Sequence, residues 1–262
     1  TPQRDPFADL AAHLEVSTQV GDIVVTPSIM DVRIWPHARD TIGQRLLDAL
    51  QGQGVHRLLF VTSTADDRFG LGNYLLKTNA APSSIALPEE HFESLRDLDH
   101  IRVWQLRSTG VPIFATNEQS SWHAQVTNSG QELSISNEAS VIGNSLTIEV
   151  LNPNRTPFQL YSSATFATAK PGIVLLVYAK TFRQSYVSIY SLEQDGHFAR
   201  PHMYRTATWP APARGRDQSM WFVDAYLLPV AGQQEYGIYV LGAEDPQQRF
   251  SDISCYFFAY PD

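Results

Sequence analysis

Two adjacent carboxylates, Asp66-Asp67, follow an apolar run that ends at Thr62. The carboxyl end of a strand is where an open α/β sheet places its chemistry. Together with Ser63 and His91 they supply the residue types of a hydrolytic triad, a nucleophile, a base and an orienting acid. The spacing adds no support. No Gly-x-Ser-x-Gly elbow occurs, and a helix cap or solvated turn is the plainer role for the pair. The segment Gly70-Leu-Gly72-Asn73 lacks the third glycine and the lysine of a phosphate-cradling loop and reads as a turn. The eight histidines, at 13, 37, 56, 91, 100, 123, 197 and 202, form no compact ligand motif. The odd spacing of His197 and His202 puts them on opposite faces of a strand. No catalytic residue, cofactor or metal ligand is therefore assigned. The single cysteine, Cys255, can form no internal disulfide. Its apolar flanks predict a buried structural thiol, since a reactive one needs an accessible, electropositive setting.

Binding chemistry has better candidates. Tyr186, Tyr190, Tyr204, Trp209, Trp221, Tyr226, Tyr236 and Tyr239 make the second half aromatic-rich. Cross-strand packing accounts for most such residues. An exposed aromatic surface for a glycan, peptide or protein is the sharper reading. The segment 206–217 contains Trp209-Pro210-Ala211-Pro212 and Arg214-Gly215-Arg216 and reads as a long stiffened loop. Trp209, Arg214 and Arg216 are the expected binding residues, because loops carry recognition more often than the elements they join.

Those residues need a scaffold. The chain has 262 residues, 43% of them apolar and 18% charged, a globular composition for one large domain or two ordinary ones. Its formal net charge of -8 lacks the basic stripe that phosphate backbones require. No run approaches the ~18 apolar residues of a membrane span.

In the first half, Phe7, Leu10, Ala11 and Leu14 have helical spacing. Ile23-Val-Val predicts a strand that Pro27 confines to an edge or brings to its end. Thr41 and Gln44 form a capping-box pattern opening a helix over 41–52, with Ile42, Leu46, Leu47 and Leu50 on one face. A strand over 55–62 completes a βαβ-like unit. Phe92, Leu95 and Leu98 predict a second helix over 88–98, with Glu89 and Glu90 in its first turn. Strands follow over 101–106 and 111–116. Alternation around Trp122 and Leu133, with Asn128-Ser-Gly130 between, reads as a hairpin.

Beyond Asn144 helical spacing gives way to about eight strands, the mark of a β-sandwich or barrel. The run Ile173 to Ala179 predicts a central strand, with 186–192 its hairpin neighbour. The expected fold is α+β: an N-terminal α/β domain with a mixed sheet over 1–136, a linker over 137–144, and a C-terminal all-β sandwich over 145–262.

The strand Ile23-Val-Val-Thr-Pro, the helix opening at Thr41-Ile-Gly-Gln-Arg and the strand Leu58-Leu-Phe-Val resemble the α/β domain of bacterial envelope accessory lipoproteins, the curli-secretion and flagellar outer-membrane type. The segment Ser185-Tyr-Val-Ser-Ile-Tyr-Ser-Leu-Glu-Gln-Asp-Gly-His-Phe resembles a β-sandwich module of bacterial envelope and signalling proteins. The resemblance implies a non-catalytic exported accessory subunit that binds other protein subunits of an envelope assembly. It implies a place in the periplasm or at the outer-membrane periphery if an export signal preceded Thr1, with a lipid anchor an open question. Two alternatives stand beside it: a hydrolase with its site at the carboxyl end of the first sheet, and a glycan- or peptide-binding β-sandwich module.

Overall fold

The computed structural model describes residues 6–25, 45, 48–49, 54–63, 89–98, 101–115, 122–125, 132–136, 147–151, 158–162, 164–168, 170–181, 186–192, 198–199, 203–210, 219–228, 235–242 and 247–262. The described chain is mostly strand, in a β-sandwich-like arrangement of three sheets. The expected α+β division with an N-terminal α/β domain is not what forms.

The chain's longest apolar run dictates the layering. Strand β10 (Gly172–Thr181) carries Ile173 to Ala179 without a solvent-facing position, and each of these residues is at most 3% exposed. Successive side chains point to opposite faces, so such a strand needs an apolar layer on both sides. Odd-numbered Ile173, Leu175, Val177 and Ala179 enter one core cluster, and even-numbered Val174, Leu176 and Tyr178 enter another. The sheet holding β10 is therefore the middle layer.

That middle sheet has seven strands. Strand β13 (Met203–Pro210) pairs with β14 (Ser219–Leu228), which pairs with β10. On the other side of β10 lies β16 (Gln247–Ala259), then β8 (Thr147–Leu151) and β7 (Glu132–Ser136), while β5 (Val111–Ala115) also pairs with β16. One outer sheet orders β12 (Phe198–Ala199), β11 (Tyr186–Leu192), β15 (Tyr236–Gly242), β9 (Phe158–Ser162) and β6 (Trp122–Gln125), all antiparallel. It packs on the middle sheet through Phe158, Leu160, Val187, Ile189, Ile238 and Val240, which closes the sandwich.

The third sheet is mixed and orders β1 (Asp22–Val25), β2 (Arg57–Ser63), β4 (Ile101–Arg107) and β3 (Glu93–Leu98). Only β1 and β2 run parallel, and β1 is an edge strand that ends at Val25. Helix α1 (Pro6–Ser17) adds Leu10, Ala11 and Leu14 to the cluster shared with the odd residues of β10. Arg57 fixes the joint. Its guanidinium pairs with the buried Asp22 carboxylate, donates to the Ser17 carbonyl at 2.9 Å and reaches Gln105 Oε1 at 3.2 Å. One side chain thus links α1, β1, β2 and β4.

Several sequence expectations are corrected. The segment 88–98 is not a helix but a single 3-10 turn (Glu89–His91) followed by β3. The pairing of β3 with β4 slips between Ser94 and Arg96, so Leu95 is the extra residue of a bulge. A bulge inserts one residue into period-two alternation. The resulting Phe92-Leu95-Leu98 spacing imitates a helical face. The expected 122–135 hairpin does not form either, because β6 and β7 lie in different sheets. Nor is β11 the neighbour of β10, since the chain crosses to the outer sheet between them. Strands from before the expected 137–144 linker pair with strands from after it. That linker lies outside the described residues, as does most of the expected 41–52 helix, of which Arg45 and Asp48 are helical.

Because β10 belongs to both cores, the two should melt together. Leu175→Ala and Leu176→Ala, on opposite faces, are each expected to cost about 2–5 kcal/mol. Urea unfolding followed by tryptophan fluorescence and circular dichroism should show one transition lowered by either change. Two transitions, each moved by only one variant, would contradict the shared core.

Candidate functional site

The outer sheet of the sandwich has one face in the core and one turned away from it. On β9, Phe158 and Leu160 point inward, so Gln159 and Tyr161 point outward. On β15, Ile238 and Val240 are inward and Tyr239 and Leu241 outward. On β11, Val187 and Ile189 are inward and Tyr190 outward. Three adjacent strands thereby set three tyrosines on one face.

The rings meet. Tyr161 lies 5.6 Å from Tyr190 at 82°, an edge-to-face contact, and 6.3 Å from Tyr239 at 31°. Tyr190 and Tyr239 are 6.4 Å apart. Offset and edge-on contacts at these separations suit the ring quadrupoles. Tyr190 and Tyr239 are 5% and 6% exposed, whereas Tyr161 remains partly open to solvent. Tyr161 is thus the most open of the three rings, and the other two pack beneath it. Its hydroxyl donates to Gln159 Oε1 at 2.7 Å, and Gln159 is exposed.

Two local features hold the supports. The Tyr190 ring lies over Gly237, where an added Cβ would stand 2.4 Å from ring carbon and hydroxyl. Only glycine leaves that path open without moving Tyr190. The Tyr190 hydroxyl donates to the Ser162 carbonyl of β9 at 3.3 Å, and Ser162 Oγ in turn accepts from Ile238 N–H at 2.9 Å. His123 and Gln125 of β6 sit in register with Tyr161 and Gln159 at the sheet's next position.

A second polar group is interior. Tyr178 and Phe222 stack at 5.2 Å, the buried Lys180 ammonium sits 4.8 Å from the Phe222 centroid, and Tyr178 donates to Asp224 at 3.1 Å. Tyr226 crosses from the middle sheet to bond Ser188 Oγ at 3.0 Å and to accept from Ile189 N–H at 3.2 Å. The Tyr226 contacts bind the two sheets of the sandwich to each other, those of Tyr178, Phe222, Lys180 and Asp224 lie within the middle sheet, and we read both as structural.

The residues expected from the sequence are dispersed. Trp209 is in β13, opposite Trp221, on an edge of the middle sheet, whereas the three tyrosines belong to the outer one. The expected 206–217 loop is strand up to Pro210. Arg214 and Arg216 lie outside the described residues, as do Asp66 and Asp67. Ser63 ends β2, and His91 stacks on Tyr260 at 4.3 Å. No group of three metal-binding side chains converges among the described residues. Cys255 is fully buried between the sheets and burial pushes its thiol pKa well up, as its apolar flanks predict. Tyr161 was missed, although a signal existed. Tyr161 stands out of phase with Phe158 and Leu160, the apolar residues of its own strand.

Neither a family model nor a curated protein sequence matches this chain. Among solved structures, it is similar to the enzymatically active domain of bacteriophage CBA120 tailspike protein 4, with 12% identity and a TM-score of 0.40 over 54% of this chain and 20% of that one. It is similar to a family 11 carbohydrate-binding module from Clostridium thermocellum, with 8% identity and a TM-score of 0.38 over 58% and 98%. A xylan-binding domain from CBM 22 gives 15% identity and a TM-score of 0.35 over 58% and 96%. This chain thus spans about a fifth of the tailspike's length. Likeness at this level says nothing of what the chain binds.

The phenols offer a direct check on packing. Burial, with Glu90 nearby, pushes the Tyr260 hydroxyl up to about 12, and burial raises Tyr190, Tyr236 and Tyr256. Tyr226 is raised furthest in cause, by full burial and then by Asp224. A raised pKa means that the folded chain keeps protons the unfolded chain has lost. The stability contribution is complete below pH ~10, the unfolded phenol value, and is lost as pH rises through the folded values. Urea unfolding at a series of pH values should show stability falling from about pH 10 towards 12, less steeply in Tyr260→Phe. An unchanged slope in that variant would contradict the burial of Tyr260.

Proposed function

We propose that this chain is a glycan-binding β-sandwich module that uses the outward face of β9, β15 and β11. The observation that carries the reading is Tyr161. It is a partly exposed ring braced by two buried tyrosines and tied to an exposed amide. A sugar presents an apolar C–H face bordered by hydroxyl groups. An aromatic ring buries the first, and a nearby amide and phenol answer the second. Bracing matters because a ring already fixed loses little rotamer freedom on binding.

This places the binding reading ahead of the protein-docking subunit expected from the sequence. Docking of that kind would use a contiguous apolar patch or an exposed sheet edge, and edge strands such as β6 and β13 keep the second open. The exposed large apolar residues among those described are Val16, Val20, Val111 and Leu151. Val111 and Leu151 pair with Phe257 and Gln247, at opposite ends of β16, and so form no common patch.

Affinity electrophoresis on gels containing soluble polysaccharides tests the proposal. Retardation by at least one polysaccharide is expected, with Tyr161→Ala weakening it by roughly tenfold or more. Trp209→Ala, on the other sheet, should leave it unchanged. Urea unfolding of both variants checks that they fold. Loss through Trp209 but not Tyr161 would move the site to β13.

A further inference from the structure

Strand β9 parts from β15 at the residue after Tyr161. Their register runs from Phe158 opposite Gly242 to Tyr161 opposite Tyr239. Pairing resumes at Phe166, which exchanges both backbone bonds with Tyr236 at 2.8 Å. Over that interval β15 advances from 239 to 236 while the facing chain advances from 161 to 166, so the ladder is broken. Residues two apart in an antiparallel strand turn their N–H groups to the same neighbour. Tyr236 turns to this one, and Ile238 therefore does too. In unbroken register the Ser162 carbonyl would receive the Ile238 N–H. The Ser162 hydroxyl receives it, at 2.9 Å, and itself donates to the Ala164 carbonyl at 2.8 Å. The Ser162 carbonyl accepts from the Tyr190 hydroxyl at 3.3 Å. Tyr190 reaches it from β11 by lying across β15 over Gly237, and there it meets Tyr161 edge-on. Ser162 is buried, so each of these bonds matters more than it would in water.

We propose that Ser162 is the positioning residue of the Tyr161 face. Its side chain stands in for its own backbone carbonyl, and the carbonyl so released holds Tyr190, which braces Tyr161. The effect on affinity rests on the glycan-binding reading; the placement of the rings does not. Without the hydroxyl, the buried Ile238 N–H has the Ser162 carbonyl as its regular acceptor. That carbonyl then turns back into the ladder, Tyr190 loses its acceptor and Tyr161 loses a fixed neighbour. Deleting the hydroxyl thus loosens the face while the sheet re-forms its own bond. A serine that served only the sheet would behave in the opposite way, with stability lost and the rings unmoved.

Fluorine NMR of the full chain labelled with fluorotyrosine reads the rings directly. Tyr161→Phe and Tyr190→Phe assign the two resonances. Ser162→Ala is expected to shift both, and Ser162→Thr, which keeps the hydroxyl, to leave them in place. Affinity electrophoresis on soluble polysaccharides should show retardation weakened about three- to tenfold by Ser162→Ala and restored by Ser162→Thr. Tyr190→Phe removes only the phenol oxygen. It should shift the Tyr161 resonance and weaken retardation to a similar degree, and combining it with Ser162→Ala should add little, because both cut one chain of bonds. Should Ser162→Ala fail to fold, Tyr190→Phe carries the same test. Resonances unmoved by Ser162→Ala, or an unmoved Tyr161 resonance in Tyr190→Phe, overturn the positioning role. Shifted rings with unchanged retardation overturn its part in binding. Retardation of the unmodified chain by no polysaccharide overturns the glycan reading and leaves the positioning to be decided by the fluorine resonances.

Discussion

The double-sided burial of β10 is the constraint on which the rest of the molecule depends. A strand with an apolar residue at every position from Ile173 to Ala179 has no face that water can accept. Burying one such side chain is worth roughly 1.5–3 kcal/mol, so leaving either face open would forfeit several times that. One face is covered by the sandwich partner sheet, the other by the mixed sheet and α1. The covering of both faces of the middle sheet leaves the far side of the partner sheet as a face with no core to fill. The tyrosines stand there.

How much of this was legible in the sequence follows from what each signal encodes. Periodicity reports how many faces of an element are buried, and it placed α1, β1, β2, β4 and β10 well. It does not report which strands pair. β10 and β11 are close in sequence and read as a hairpin, yet they lie in different layers, because β14 and β16 flank β10 on both sides. β3 read as a helix because the Leu95 bulge converted period two into an apparent period of three. The wrong fold class came largely from that step. With 88–98 a helix, the first half looks like helices covering a sheet; with β3 in place, it is one more sheet on a β structure.

The site was legible in part. The aromatic richness of the second half is legible in the sequence, and a glycan- or peptide-binding sandwich is one of the alternatives it leaves, but the Pro/Arg segment around Trp209 carries the stronger sequence signal. Three tyrosines separated by up to 78 positions become neighbours only through the order β11-β15-β9. Sequence distance hid them, and so did their company, because Tyr161 sits in a strand whose apolar residues already explain it as core. The phase of an aromatic residue against its own strand is the more informative quantity.

The position of β16 in the middle sheet bears on how the chain is made. β16 hydrogen-bonds to β10, β8 and β5, and so is wired to strands that precede it by about 80 to 140 residues of synthesis. Until it emerges from the ribosome, β10 can hold only β14, and β5 and β8 face an empty lane between themselves and β10. Local contacts cannot complete such a sheet early, and topologies of this kind assemble slowly. The growing chain therefore carries an exposed, strongly apolar strand with an open edge while the residues between β10 and β16 are made, the condition under which nascent chains are most exposed to mispairing and most dependent on chaperones.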